Sequence, residues 1–246
     1  MQNSLVSRLQ LLVFLFALVS SNTSFSKPSP LADAKRQAIK TKTLKGHKPL
    51  EDYSFARRML MNKVHLKKDR EGHYVEDVYC GQIIHLATAN TMPDNNILNT
   101  EHTWPQSRFN RSANVTNQKA DLHHLYPTNS KANGRRGNDI FTDVSNNNPI
   151  FTGCPESKFG ESVEGRVSGF EPPDAHKGNV ARAIFYFAVR YEMEISKVEE
   201  DVLRHWNQMD PVDAEEQKRN DTIETIQGNR NPFIDDAELA ELVEDF

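Results

Sequence analysis

Residues 120–141, ADLHHLYPTNSKANGRRGNDIF, and residues 99–109, NTEHTWPQSRF, decide how this chain is read. From Pro93 to Pro155 the sequence is rich in Asn, Thr, Gly and Pro and has few long apolar runs. That composition predicts loops and short elements, where functional side chains gather on a scaffold. Glu101 and His102 adjoin just before Trp104-Pro105. A neutral imidazole accepts a proton from water near physiological pH, and a carboxylate is a hard oxygen ligand suited to Mg²⁺. Asn133 offers a second, neutral oxygen on a helix expected to open after Pro127. One carboxylate and one amide leave most of an octahedral shell to water and phosphate. Arg135 and Arg136 follow directly, and guanidinium groups pair well with phosphate oxygens. Each feature also has a plain structural reading: a Glu-His surface pair, a packed turn at His123-His124, a tight turn at Asn133-Gly134. Their conjunction within about 35 polar residues favours chemistry.

Outward from this segment the pattern is mostly helical. Phe55, Met59, Leu60 and Val64 fall at helical spacing over 52–66, and residues 74–86 suit a short strand or a buried turn. Val180, Ile184, Phe187 and Tyr191 mark one face of a helix over 175–194. Ser196 with Glu199 resembles a capping box opening a helix through Trp206, and Asp210-Pro211 reads as the cap of a third that Gly228 ends. Asp235 and Glu238 open a last short helix. No internal repeat or domain linker is evident, so the expected fold class is α+β in a single domain over 51–246, mostly helical, after a flexible lead-in at 27–50.

The 246 residues suffice for a sizeable core, and a mean hydropathy of −0.67 without a second long apolar run excludes a multi-span membrane protein. Arg8, the apolar run Leu9–Val19 and the small polar Ser20, Ser21 and Asn22 have the layout of a secretory signal over 1–26, with cleavage after Ser21 or Ser26. The apolar run is shorter than the roughly 20 residues a membrane span needs. In an exported chain the two cysteines, Cys80 and Cys154, predict one disulfide, worth about 3–4 kcal/mol by loop closure. The net charge of −4 argues against bulk electrostatic coating of nucleic acid. It is unevenly spread: residues 196–246 carry −10, whereas residues 101–136 carry +4 from Arg108, Arg111, Lys119, Lys131, Arg135 and Arg136 against Glu101 and Asp121.

These strings resemble the bacterial endonuclease I family of exported nucleases with a ββα-metal, HNH-like core. The resemblance rests on Glu101-His102, on Asp121-Leu122-His123-His124-Leu125 with Pro127, and on Asn133-Gly134 with Arg136-Gly137-Asn138. Farther on, it is carried by Gly228-Asn229-Arg230-Asn231-Pro232-Phe233-Ile234-Asp235. It implies an Mg²⁺-dependent endonuclease, Mn²⁺ or Ca²⁺ being alternatives. Such an enzyme is a monomer that grips DNA, with RNA tolerated, through the phosphate backbone and leaves 5′-phosphate products. His102 would be the general base, Glu101 and Asn133 the metal ligands, and Arg136 or Arg111 the phosphate-holding arginine, with Arg135 beside it. Asp121, His123 and His124 would be supporting groups, and the Gly228–Asp235 string structural. Two cysteines alone depart from the disulfide-rich members of the family. A catalytically weak DNA-binding protein of the same fold is the alternative. No HExxH-type spacing supports a zinc hydrolase.

Overall fold

The computed structural model describes residues 30–163 and 167–246; the apolar N-terminal segment and its two cleavage positions lie outside them. Helix α1 (Pro30–Leu44) comes first and α2 (Tyr53–Met59) follows, running into a π-helical turn, Leu60–Val64. Strands β1 (Lys67–Lys68), β2 (His73–Glu76) and β3 (Ile83–Leu86) form one antiparallel sheet. Next come β4 (Leu98–His102), α3 (Val115–Ala120), β5 (Leu125–Asn129) and α4 (Ser130–Arg136). Strands β6 (Ile140–Phe141), β7 (Pro149–Phe151), β8 (Cys154–Glu161) and β9 (Ser168–Glu171) make a four-stranded sheet ordered β6-β9-β8-β7. The chain finishes in α5 (Asp174–Tyr191), α6 (Lys197–Met209), α7 (Ala214–Gln227), α8 (Pro232–Asp235) and α9 (Leu239–Leu242). This is the expected α+β class.

The periodicity of 175–194 predicts a helix with one apolar face, but α5 is buried almost all round from His176 to Tyr191. It is the central post: α1, α6 and α8 pack on its sides, and its aromatic residues anchor the larger of two apolar clusters. The smaller cluster lies where α2 and the π turn meet β4, β5 and α7. The extra residue per turn in the π segment moves the buried set to Ala56, Leu60 and Met61, leaving Phe55 half-buried.

Three local expectations are corrected. The lead-in read as flexible is a docked helix from Pro30: Ala32, Ile39 and Thr43 are buried, and Arg36 donates to the Met193 carbonyl at 2.7 Å. Only one stripe of α1 meets the core, so its polar composition hid it. Asp210-Pro211 does not open α7. Asp210 ends α6 and accepts from the Gly178 amide at 2.8 Å, while Asp213 caps α7 by accepting from Glu216 N. The capping box at Ser196 is half of one: the Ser196 hydroxyl accepts from Glu199 N, but the Glu199 carboxylate leaves the helix for Arg108 and the Phe141 amide.

Cys80, in the turn between β2 and β3, is bonded to Cys154 at the start of β8, as expected. Gly228 ends α7 with φ +81°, and a Cβ there would stand 2.2 Å from the Gly46 carbonyl oxygen. Asn229 donates to the Thr43 carbonyl and the Tyr186 hydroxyl (both 2.8 Å), and Asn231 donates to the Arg182 carbonyl (2.9 Å). The Gly228–Asp235 string thus locks α1, α5 and α7 together, the structural role expected of it. Gly228→Ala should cost more than about 1 kcal/mol, because a left-handed backbone and a steric overlap coincide. Urea unfolding checks this, and an unchanged midpoint contradicts it.

Candidate active site

Strands β4 and β5 pair antiparallel in the register Leu98↔Asn129 through His102↔Leu125, and α4 follows β5 without a break. The Asn129 side chain caps α4 by accepting from Lys131 N and Ala132 N. The Asn129 backbone amide in turn donates to Asp77 (2.9 Å), which also accepts from Tyr79 N in the disulfide-tied turn. A strand, strand and helix are thereby fixed as one unit, which carries Glu101, His102 and Asn133.

Glu101 is 2% exposed. Its Oε1 accepts from the Tyr79 hydroxyl at 3.0 Å and faces Arg136 Nη1 at 3.1 Å; Oε2 makes no hydrogen bond among the described residues. Burial raises the Glu101 carboxyl pKa, and the Arg136 charge and the Tyr79 hydrogen bond oppose that rise. Asn133 spends both amide hydrogens on β4, on Asn99 Oδ1 (2.8 Å) and on the Thr100 carbonyl (3.2 Å). Its Oδ1 makes no hydrogen bond among the described residues. This donor set fits a hard, oxygen-seeking cation such as Mg²⁺.

His102 packs among Tyr53 (centroids 5.2 Å), His124 (5.3 Å) and Phe109 (6.1 Å). Its Nε2 lies 3.1 Å from the Lys119 carbonyl, so the proton sits on Nε2 and the lone pair on Nδ1, within 3.3 Å of the Gln106 amide. Burial holds His102 down to about 3, so the imidazole is neutral at physiological pH.

Arg136 is not a phosphate contact. It is 1% exposed, and it donates to the carbonyls of His102 (3.2 Å) and Thr103 (2.8 Å) while facing Glu101. The side chain points inward because α4 packs on β4, and its role is to hold Glu101 and the backbone just after it. Arg135 is exposed and lies over the Phe159 ring at 3.5 Å. Arg111 is exposed and, like Arg135, makes no hydrogen bond or ion pair among the described residues. Asp121 is wholly structural, accepting from Tyr186, Tyr191 and Gln227 and pairing with Arg190. His123 and His124 are fully buried, their Nε2 atoms on the carbonyls of Asn229 and Gln118. Sequence reasoning missed Tyr79, Asn99, Gln106 and Tyr53. Asn99 alone had a signal, lying two residues before Glu101 on the same strand face.

A sequence model of the family described as Endonuclease I matches residues 37–238. The chain belongs to the endonuclease I family. An extracellular ribonuclease of Bacillus amyloliquefaciens is 37% identical over 161 residues, covering 58% of this chain and 52% of the relative. A periplasmic deoxyribonuclease of Aeromonas hydrophila is 30% identical over 126 residues, covering 51% of each. The chain spans about half the length of these curated relatives. No helix among the described residues is long and apolar enough to cross a membrane.

The buried imidazoles of this endonuclease I family member predict acid sensitivity. Burial holds His102, His123 and His176 down to about 3 and His124 to about 4. The unfolded chain, with histidines near 6.5, binds more protons over that interval. Their stabilising contribution is full above pH 6.5 and is lost towards pH 3–4, at up to about 1.4 kcal/mol per pH unit for each histidine. Urea midpoints at about pH 7 and pH 4.5 check this; equal midpoints contradict it.

Proposed function

We propose that the chain is an exported, divalent-metal-dependent endonuclease, acting as a monomer, that hydrolyses DNA and RNA phosphodiester bonds without sequence preference and leaves 5′ phosphates. The observation that supports this reading is that one strand–strand–helix unit carries Glu101, His102 and Asn133, with Asn133 tied to β4 through the Thr100 carbonyl and His102 Nδ1 met only by the Gln106 amide. Glu101 and Asn133 would hold the cation, which when bound supplies charge stabilisation at the phosphate and the leaving oxygen. His102 Nδ1 takes a proton from the attacking water, while the Lys119 carbonyl keeps the other proton on Nε2. The water oxygen bonds to phosphorus as the bond to the 3′ oxygen breaks in line, and the departing 3′ oxygen takes a proton from a solvent water. Arg111 steadies the phosphate, and backbone contacts without base-edge contacts explain the lack of sequence preference. The names of the relatives divide between ribonuclease and deoxyribonuclease, which supports both substrates.

Plasmid DNA and a structured RNA incubated with the oxidised protein and Mg²⁺, with and without EDTA, test this reading. Cleavage of both that EDTA abolishes is expected; DNA binding without cleavage would instead favour the inert binding protein. Asn133→Leu should weaken Mg²⁺ binding at least about tenfold by calorimetry and lower the rate with it. Unchanged metal affinity would reassign the ligand.

A further inference from the structure

A cavity of about 630 Å³ lies beside the β4–β5 pair and includes none of Glu101, His102 and Asn133. It is bounded by the end of the π turn, the disulfide-tied turn over 77–81, and the first turns of α5 and α7. Its size is that of a small-molecule site. Flat groups dominate its inner wall: the Arg219 guanidinium lies over the Tyr126 ring at 4.1 Å, and His176 meets the same ring edge-on at 4.8 Å.

The polar atoms there want acceptors. His65 Nε2 accepts from Arg219 Nε at 3.3 Å, so the His65 proton is on Nδ1, which has no partner among the described residues. Arg219 spends Nη2 on the carbonyls of Leu122 and Leu125, whereas Nη1 is buried and unpartnered. His176 is 5% exposed, and its ring contacts Tyr126 and Tyr79 but makes no hydrogen bond among the described residues. Both histidines are kept neutral by burial, so each presents one N–H. Buried donors in native proteins are nearly always paired, and Arg219 Nη1 is one that is not, while His65 and His176, from two other elements, line the same cavity with their rings. The rim is acidic: Glu76, Glu156, Asp213 and Glu215 surround Lys67 and Lys218, and Lys67 is already paired with Glu76 (3.1 Å) and Glu215 (2.8 Å). A phosphate is therefore disfavoured at the mouth, and with it a nucleic-acid strand.

We propose that this cavity is a second ligand site, for a small, flat, uncharged molecule bearing carbonyl or ring-nitrogen acceptors, of the nucleoside class. Two of its residues also touch the cleavage unit. The Tyr79 hydroxyl binds Glu101, and Tyr126 is the cross-strand partner of Glu101.

Calorimetric titration of thymidine and of uridine into the metal-free wild-type protein tests the site. Saturable binding of one molecule per chain is expected, with dTMP at least about tenfold weaker because its phosphate meets the acidic rim. Ala175→Trp, at an exposed first-turn position on the mouth, should weaken the nucleosides at least about tenfold while the melting temperature and plasmid cleavage stay at wild-type values. Ala214→Trp, from the α7 side of the mouth, should act alike and serves if the first variant folds poorly. His102→Ala should bind nucleosides as the wild type does, so the site stands or falls apart from the nuclease reading. The proposal is overturned by an absence of saturable binding up to about 10 mM. Binding unmoved by either tryptophan, lost in His102→Ala, or as tight for dTMP would overturn it equally.

Discussion

Replacing His102 by Ala should lower kcat on plasmid DNA on the order of 10²–10⁴-fold while leaving DNA affinity nearly unchanged. The size of the effect follows from how completely the structure commits this ring to one task. The Lys119 carbonyl fixes its proton on Nε2, three aromatic neighbours fix its orientation, and Nδ1 alone faces a donor that water can replace. No neighbour can take over. His124, the nearest imidazole, has Nε2 on the Gln118 carbonyl at 2.7 Å, and its Nδ1 is buried without access to water. Arg111, proposed to steady the phosphate, is a separate exposed residue, so substrate binding is expected to survive. Because His102 is 7% exposed, Ala leaves a cavity, and kinetics should be taken well below the melting temperature of the variant. Near-normal turnover in a folded sample would end the general-base assignment.

Arg136→Met should destabilise the protein by about 3–5 kcal/mol, the usual cost of removing one partner of a buried ion pair. Glu101 would be left in the interior with only the Tyr79 hydroxyl to stabilise its charge. Burial already raises the Glu101 carboxyl pKa, and the Arg136 charge is the chief force holding it down. Without it the pKa rises further, the carboxylate is protonated over more of the working range, and Mg²⁺ binding weakens. Metal affinity and activity should then recover as the pH is raised. A surface phosphate contact would behave differently. Its loss would leave the melting temperature intact, raise KM and flatten the dependence on salt. Calorimetry, a pH series of Mg²⁺ titrations and a salt series decide between the two, and an unchanged melting temperature would refute the buried-pair role.

Much of this was legible in the residues. Glu101, His102 and Asn133 stood out because their types and nearness match one chemistry, and the cysteine pair and Gly228 each admit few local structures. What sequence could not separate was Arg136 from Arg135 and Arg111. All three are cations in a basic stretch, and charge alone does not say which way a side chain points. Burial decides it: the side of α4 that packs on β4 takes Arg136 out of solvent, while Arg135 stays exposed over Phe159 and Arg111 stays exposed on its loop. Tyr79 was invisible for a related reason. It reaches Glu101 across 22 positions, through a turn that the bond between Cys80 and Cys154 anchors.

By itself, then, the sequence determined which groups can do chemistry, because functional type and local spacing are properties of the chain. Only the tertiary structure decided which of those groups stay exposed and which are spent on one another. That choice depends on long-range packing, which sets burial and hence which charges must be paired.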